Sequence, residues 1–190
     1  MARELAELQT ELETGPAHWI GLSMGGVIAQ EFALNYPEQV RKLMLVSTFC
    51  VLQPENLTQW LYFAQRLVLV HTLGLKQQAR VVAKRVFPNP EQSALRQMAE
   101  EQIAAADPRA YRAAMRALGL FNSRQRLKNL RIPTLVVTGA EDSTVSPARQ
   151  KMLVEAIPGA NQVILPQGGH GVAIDQFEAF NRVMLNFLNA

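Results

Sequence analysis

The sequence predicts an α/β fold whose parallel sheet is interrupted by an all-helical segment. Short apolar runs alternate with helical patterns over residues 1–53 and again over 131–190, as in parallel sheets covered by helices. Between them, over 54–130, only helical periodicity is found. We therefore expect a core built from the first and last segments, with 54–130 inserted as a helical cap.

The first segment contains two predicted strands. The apolar spacing over residues 2–14 predicts an amphipathic helix with Leu5, Leu8 and Leu12 on its buried stripe. A buried strand is expected at 17–22.

After a helix that runs from Val27 to about Asn35, a second strand is expected at 43–47. That strand is continuously apolar, which is typical of parallel strands covered on both faces.

The cap segment is divided by helix-start signals. Asn89-Pro90 and Asp107-Pro108 each place a capping side chain before a proline, so we expect four or five short helices. The first of these helices, at Trp60 to Val70, carries apolar residues on more than one face. Two interpretations stay open for it, namely the core of a subdomain and an apolar wall over a substrate pocket.

The last segment returns to strand and helix alternation. Strands are expected at 134–139 and 162–166, with a helix from Ser146-Pro147 between them. A final helix over 176–188 is expected to bury one side: Phe177, Phe180, Val183, Met184 and Phe187.

Composition limits the class of protein. The chain has 190 residues, 48% of them apolar, which suits a single domain with an inserted subdomain. No apolar run is long enough to cross a bilayer and no secretory signal is evident, so we expect a cytoplasmic protein without membrane contact. The one cysteine, Cys50, excludes an internal disulfide and is interpreted as a small buried hydrophobe.

Positive charge is concentrated in the cap. Residues 54–130 hold twelve Lys or Arg and five acidic residues, a net charge of +7 within a chain of net charge +3. The charges are scattered at helical spacing without aromatic interleaving, so we favour a solvated face over nucleic-acid binding. An anionic substrate is the remaining alternative, with Arg66, Arg80 and Arg85 as its candidate partners.

The stretch Gly21 to Gly26 combines an apolar strand, a tight turn and a helix. A serine at such a turn, here Ser23, projects its hydroxyl above the carboxyl ends of the strands. We expect Gly21 and Gly25 to be the small neighbours that the turn requires. The helix that follows directs free N–H groups to the point where an oxyanion would form, so Ser23 is the candidate nucleophile.

Ser23 is followed along the chain by an acidic residue and a histidine, each just beyond a predicted strand. Parallel strands bring such positions to one edge of the sheet, where α/β folds place their sites. His170 follows the last strand, whereas His18 lies at the opposite edge and His71 in the cap. We therefore predict His170 as the base that activates the serine.

The acidic partner has three candidates. Asp142 follows the third strand within Gly139-x-x-Asp142, and its short side chain at the loop tip can turn toward an imidazole. Its neighbour Glu141 is expected to face solvent, and Asp175 is a weaker rival. We favour Asp142.

Four stretches carry a family resemblance: Gly21 to Gly26, Tyr36 to Val46, Ile132 to Asp142, and Gly168-Gly169-His170. Together they resemble the α/β-hydrolase superfamily, in particular small bacterial esterases and 3-oxoadipate enol-lactonase-like members. The resemblance covers almost all of residues 2–190.

The resemblance implies a serine hydrolase that cleaves a small carboxylic ester or lactone through an acyl-enzyme. It assigns Ser23 as nucleophile, His170 as general base and then acid, Asp142 as the residue that orients His170, and the Met24 backbone N–H as an oxyanion donor. No metal or organic cofactor is implied.

The resemblance also implies four strands, and a loop with the second oxyanion donor, ahead of the elbow strand. Only 22 residues precede Ser23, whereas a single βαβ unit needs about 30 residues. We therefore expect a truncated α/β-hydrolase fold of four parallel strands with flanking helices and an all-helical cap.

In such a sheet the strand at 17–22 has an open apolar edge, which is a template for a further strand. We expect a homo-oligomer or a completing chain at this edge. The alternative function is a non-catalytic hydrolase fragment or interaction module that needs a partner chain.

Overall fold

The structure of the protein is a computed structural model that describes residues 1–52 and 74–190, together with Leu57, Leu61, Ala64 and Gln65. The prediction for the helix at Trp60 to Val70 falls almost entirely outside the described residues. Arg66 and His71 lie outside them as well.

The chain divides into two compact units. The first comprises residues 1–51 and 122–190, and the second comprises residues 52–121.

The first unit is built on a sheet of four parallel strands, which confirms the predicted α/β class and the strand number. The strands are β1 (Ala17–Leu22), β2 (Val40–Val46), β3 (Thr134–Gly139) and β4 (Asn161–Leu165). They lie in the order β1-β2-β3-β4. Among the described residues, β1 pairs with β2 alone and β4 pairs with β3 alone, so β1 and β4 are the edge strands of the sheet.

Alternate residues of the central strands fill two cores, one on each face of the sheet. Leu43 and Leu45 of β2 join one cluster, which also contains Phe32, Ala33 and Leu153. Met44 and Val46 join the other, with Phe180 among its members. Because both faces are covered, β2 has no polar alternation, as expected for a parallel strand covered on both sides.

β1 differs from the expectation of a buried strand. Ile20 and Leu22 are 43% and 41% exposed, and Gly21 is the buried residue of the strand. Ile20 and Leu22 project from the same face of the sheet as their partners Met44 and Val46, but neither belongs to the core cluster that contains those partners.

Eight helices have defined bounds among the described residues: α1 (Ala2–Glu11), α2 (Met24–Asn35), α3 (Gly74–Val86), α4 (Ser93–Ala104), α5 (Pro108–Leu120), α6 (Pro147–Ala156), α7 (Val172–Asp175) and α8 (Phe177–Asn189). Single turns of 3₁₀ helix occupy Pro37–Gln39, Pro90–Gln92 and Arg126–Asn129.

The buried face of α1 follows the predicted leucine stripe only at Leu5, which is half-buried and packs against a core cluster. Ala6 and Gln9 are buried, whereas Leu8 and Leu12 are 47% and 63% exposed. Ala6 belongs to the same cluster as Ala29 of α2, and Leu5 packs against that cluster.

The other terminal helix, α8, needs a smaller correction. Phe180 is buried as expected, and Val183, Met184 and Phe187 pack against its cluster. Phe177, which was assigned to the same side, is 58% exposed. It occupies the first position of the helix, next to the end of α7.

The second unit contains α3, α4 and α5. Both predicted side-chain caps before a proline form, the first at the 3₁₀ turn that precedes α4 and the second at the start of α5. The Asn89 side chain accepts a hydrogen bond from the Glu91 N–H, and the Asp107 side chain accepts from Arg109 and Ala110.

Arg80, one of the candidate anion partners, lies on α3. Its Nε is 2.9 Å from Glu100 Oε1 on α4, so its charge is paired within the second unit.

Candidate active site

Ser23 lies at the turn between β1 and α2 in a left-handed backbone conformation, with φ 51° and ψ −116°. Non-glycine residues pay a conformational cost there, so surrounding contacts must hold the turn. The Ser23 N–H donates to Val46 O at 2.9 Å, and its carbonyl accepts from Thr48 Oγ1 at 2.7 Å. The turn is thus fixed to the end of β2 on both sides of the serine.

Gly21 and Gly26 are the positions of this turn that leave no room for a Cβ atom. A Cβ at Gly21 would lie 2.5 Å from Gly25 O, and one at Gly26 would lie 2.6 Å from Thr48 Cβ. At Gly25 an added Cβ would meet nothing within 4 Å among the described residues. The expectation that Gly25 is required for space is therefore wrong, because its Cβ position faces an opening.

Asp142 follows β3 and is held by hydrogen bonds on both carboxylate oxygens. Oδ1 accepts from the backbone N–H groups of Thr144 and Val145, each at 2.8 Å. Oδ2 accepts from Gln150 Nε2 on α6 at 3.1 Å. The Asp142 side chain is fully buried, whereas Glu141 is exposed.

His170 lies in the loop after β4, and this loop is joined to the loop after β3. Glu141 N donates to Gly168 O at 2.9 Å. A Cβ at Gly139 would collide with the carbonyl oxygens of Gly168 and Gly169, so the two loops are in direct backbone contact. This contact brings the acidic residue and the histidine together.

Asp175 also contributes to the histidine loop. Its Oδ2 accepts a hydrogen bond from the Gly169 N–H at 2.9 Å. The Asp175 carboxylate therefore supports the backbone beside His170, while Asp142 contacts the imidazole itself.

The three predicted side chains form one hydrogen-bonded chain. Ser23 Oγ lies 3.0 Å from His170 Nε2, and His170 Nδ1 lies 3.0 Å from Asp142 Oδ2 and 3.2 Å from Oδ1. A carboxylate only accepts hydrogen bonds, so Nδ1 carries the proton and Nε2 offers its lone pair to the serine hydroxyl. This arrangement can transfer the hydroxyl proton to the imidazole while the oxygen attacks a substrate.

The remaining predicted positions lie as follows. Met24 is the first residue of α2, where a helix leaves its N–H without an intrahelical partner. That N–H is adjacent to Ser23 and available to an oxyanion. His18 is exposed within β1, near the end of the strand opposite to Ser23.

The sequence patterns do not single out two residues that support this site, Thr48 and Gln150. Thr48 follows the end of β2, and a buried polar residue directly after an apolar strand is a weak signal for such a role. Gln150 lies at the end of the first turn of α6 and reaches back to Asp142 in the preceding loop, so no local pattern indicates it.

Three further observations concern metal-ligating side chains, helix length and Cys50. No three metal-ligating side chains in residues 1–52 and 74–190 are grouped to hold an ion. None of the described helices has both the length and the apolar character to span a membrane. Cys50 is buried, and burial raises the pKa of its thiol, which makes the thiol unreactive.

Comparisons with known proteins identify the family and the fold. A family model described as serine aminopeptidase, S33, matches residues 2–176. A protein of Caulobacter sp. (strain K31), named carbamate hydrolase RutD with the activity marked as inferred, is 30% identical and aligns with 100% of this chain and 71% of its own length.

Solved structures show the same fold. A hydrolase from Pseudomonas aeruginosa PA01 superposes with a TM-score of 0.87 at 25% identity, over 100% of this chain and 71% of that one. An enol-lactonase from Burkholderia xenovorans LB400 superposes with a TM-score of 0.88 at 24% identity, over 100% of this chain and 72% of that one. The chain therefore belongs to the α/β-hydrolase superfamily, in the family whose model is described as serine aminopeptidase, S33, and it is a hydrolase.

Proposed function

We propose that the protein cleaves a small carboxylic ester or lactone through an acyl-enzyme on Ser23. The observation that carries the proposal is the 3.0 Å contact between Ser23 Oγ and His170 Nε2, with His170 Nδ1 held by Asp142. A serine hydroxyl is a weak nucleophile unless a base removes its proton, and this imidazole is within proton-transfer distance.

In the first half-reaction Ser23 Oγ forms a bond to the carbonyl carbon while its proton passes to Nε2 of His170. The tetrahedral intermediate collapses, and the leaving alkoxide takes that proton and departs as an alcohol. In the second half-reaction a water molecule loses a proton to Nε2 and attacks the acyl carbon. The bond between that carbon and Ser23 Oγ then breaks, Oγ takes the proton back from Nε2, and the carboxylic acid is released. Asp142 stabilises the imidazolium in both halves.

The negative charge of the tetrahedral intermediate develops next to the start of α2. The Met24 N–H, at this helix start, is the proposed donor, and the positive end of the helix dipole supplements it. The constrained backbone of Ser23 keeps its hydroxyl and this donor close to each other.

A second substrate class, carbamates, has support in the names of relatives. Eight relatives at 28–30% identity carry the name carbamate hydrolase RutD, each with that activity marked as inferred. The same attack on a carbamate would leave a carbamylated serine. Turnover of matched carboxylic and carbamic esters with one leaving group would rank the two classes, since the alcohol released is identical.

A fluorophosphonate probe with peptide mapping tests the proposed nucleophile. We expect the label on Ser23, with labelling abolished in His170→Ala and unchanged in His18→Ala, an exposed histidine remote from the site. Labelling that persists in His170→Ala would contradict the role of the imidazole. A folded chain that takes no label would favour the alternative of a non-catalytic module that needs a partner chain.

A further inference from the structure

Gln150 is a fully buried polar residue on α6 that contacts the candidate acid directly. Its Nε2 donates to Asp142 Oδ2 at 3.1 Å and to Val145 O at 2.8 Å. Both neighbours are acceptors, so the amide must direct its NH₂ group toward them. The orientation of the amide is thereby determined by its surroundings.

The other end of the same amide is unsatisfied. Gln150 Oε1 is buried and has no hydrogen-bond partner among the described residues. A buried carbonyl without a partner is unfavourable, and an apolar side chain of the same length would avoid it. Packing alone therefore does not account for a glutamine here, whereas its two donated hydrogen bonds do.

The hydrogen bonds on Asp142 show what the amide adds. The backbone N–H groups of Thr144 and Val145 both bind Oδ1, and they fix that oxygen in place. If Oδ1 alone were held, the carboxylate could still rotate and move Oδ2 away from His170. The Gln150 N–H holds Oδ2, which is the oxygen nearer to His170 Nδ1.

We propose that Gln150 is a positioning residue that holds Asp142 Oδ2 against His170 Nδ1. The proposal rests on the function proposed above, in which His170 must present an unprotonated Nε2 to Ser23. Gln150 does not touch the substrate in this account. It acts by limiting the rotation of the Asp142 carboxylate.

The test compares Gln150→Met with Gln30→Met. Methionine keeps the length of the side chain and removes the donor. Gln30 is a matched control, because it is equally buried in the same unit and forms two hydrogen bonds, to Phe49 O and from Ser123 Oγ, without contact to Asp142. Both variants lose buried hydrogen bonds, so both should be less stable than the wild type.

The two readouts are kcat and KM for ester hydrolysis, and the low-field proton NMR signal of the His170 Nδ1–H. For Gln150→Met we expect kcat to fall about tenfold, the lower end of the loss seen when a hydrogen-bond partner that orients a metal-ligating side chain is removed, with KM unchanged. We also expect its NMR signal to move upfield or broaden. Gln30→Met should preserve kcat and the signal.

If Gln150→Met has the kcat of the wild type and an unchanged NMR signal, the proposal is overturned and Gln150 is a purely structural residue. The NMR signal needs no turnover, so it tests Gln150 even if the wild type proves inactive and the proposed function fails. If Gln150→Met does not fold, Gln150→Glu replaces it. Its kcat relative to the wild type should fall as pH rises, because two adjacent carboxylates repel each other when both ionise.

Discussion

Replacing Asp142 by asparagine should inactivate the enzyme through the tautomer of His170. The backbone N–H groups of Thr144 and Val145, each 2.8 Å from Oδ1, require an oxygen at that position. An asparagine must therefore place its NH₂ group where Oδ2 now lies. There it faces the Nδ1–H of His170, which Oδ2 accepts at 3.0 Å in the wild type.

Two opposed donors cannot remain at that distance, so the imidazole is expected to move its proton to Nε2. Nε2 then donates toward Ser23 Oγ and can no longer accept the hydroxyl proton. The same change in the Ser-His-Asp triad of a serine protease lowers kcat by about 10⁴-fold, and we expect a loss of that order. The Gln150 amide also loses its acceptor, at a cost of about 1–3 kcal/mol in the free energy of unfolding.

The assay is single-turnover acylation by an activated ester, with urea unfolding measured in parallel. Glu141→Gln is the matched control, since this neighbouring carboxylate is exposed, and it should acylate at the wild-type rate. Asp142→Asn that retains a tenth or more of the wild-type rate would refute the tautomer argument. A comparable loss in Glu141→Gln would move the acidic role to that residue.

Three further predictions concern packing, assembly and substrate charge. Gly26→Ala should lower the free energy of unfolding by about 1–3 kcal/mol, because its Cβ would lie 2.6 Å from Thr48 Cβ, whereas Gly25→Ala should not destabilise; equal urea midpoints would contradict this. The chain should self-associate through the open edge of β1, and Ile20→Lys should weaken that association in sedimentation. A stable wild-type monomer at micromolar concentration, with slow hydrogen exchange in β1, would show the edge to be closed. The basic segment 54–130 predicts faster cleavage of a carboxylate-bearing ester than of its neutral analogue, with an advantage that declines with salt. If the ratio of the two cleavage rates does not change with salt, the charges of this segment are a solvated surface and do not attract the substrate.

Local features of this protein could be predicted because their causes lie within a few residues of each other. A proline after Asn89 or Asp107 favours a helical start through its fixed φ and the neighbouring side-chain acceptor, and a 3₁₀ turn starts at Pro90 and α5 at Pro108. The strand, turn and helix around Ser23 follow from local constraints in the same way. The order of Ser23, Asp142 and His170, each after an apolar strand, was sufficient to place them at one edge of the sheet.

Only the tertiary structure decided which faces are buried and which residues support the site. The α1 sequence predicts a buried leucine stripe, but in the structure Ala6 is buried, Leu5 is half-buried and Leu8 is exposed. Gln150 shows no sign of its role along the chain, because its contact with Asp142 depends on how the loop after β3 folds back onto α6. A hydrophobic pattern reports how apolar each face is. Which residues pack against that face depends on parts of the chain that are distant in sequence, and only the folded structure brings them together.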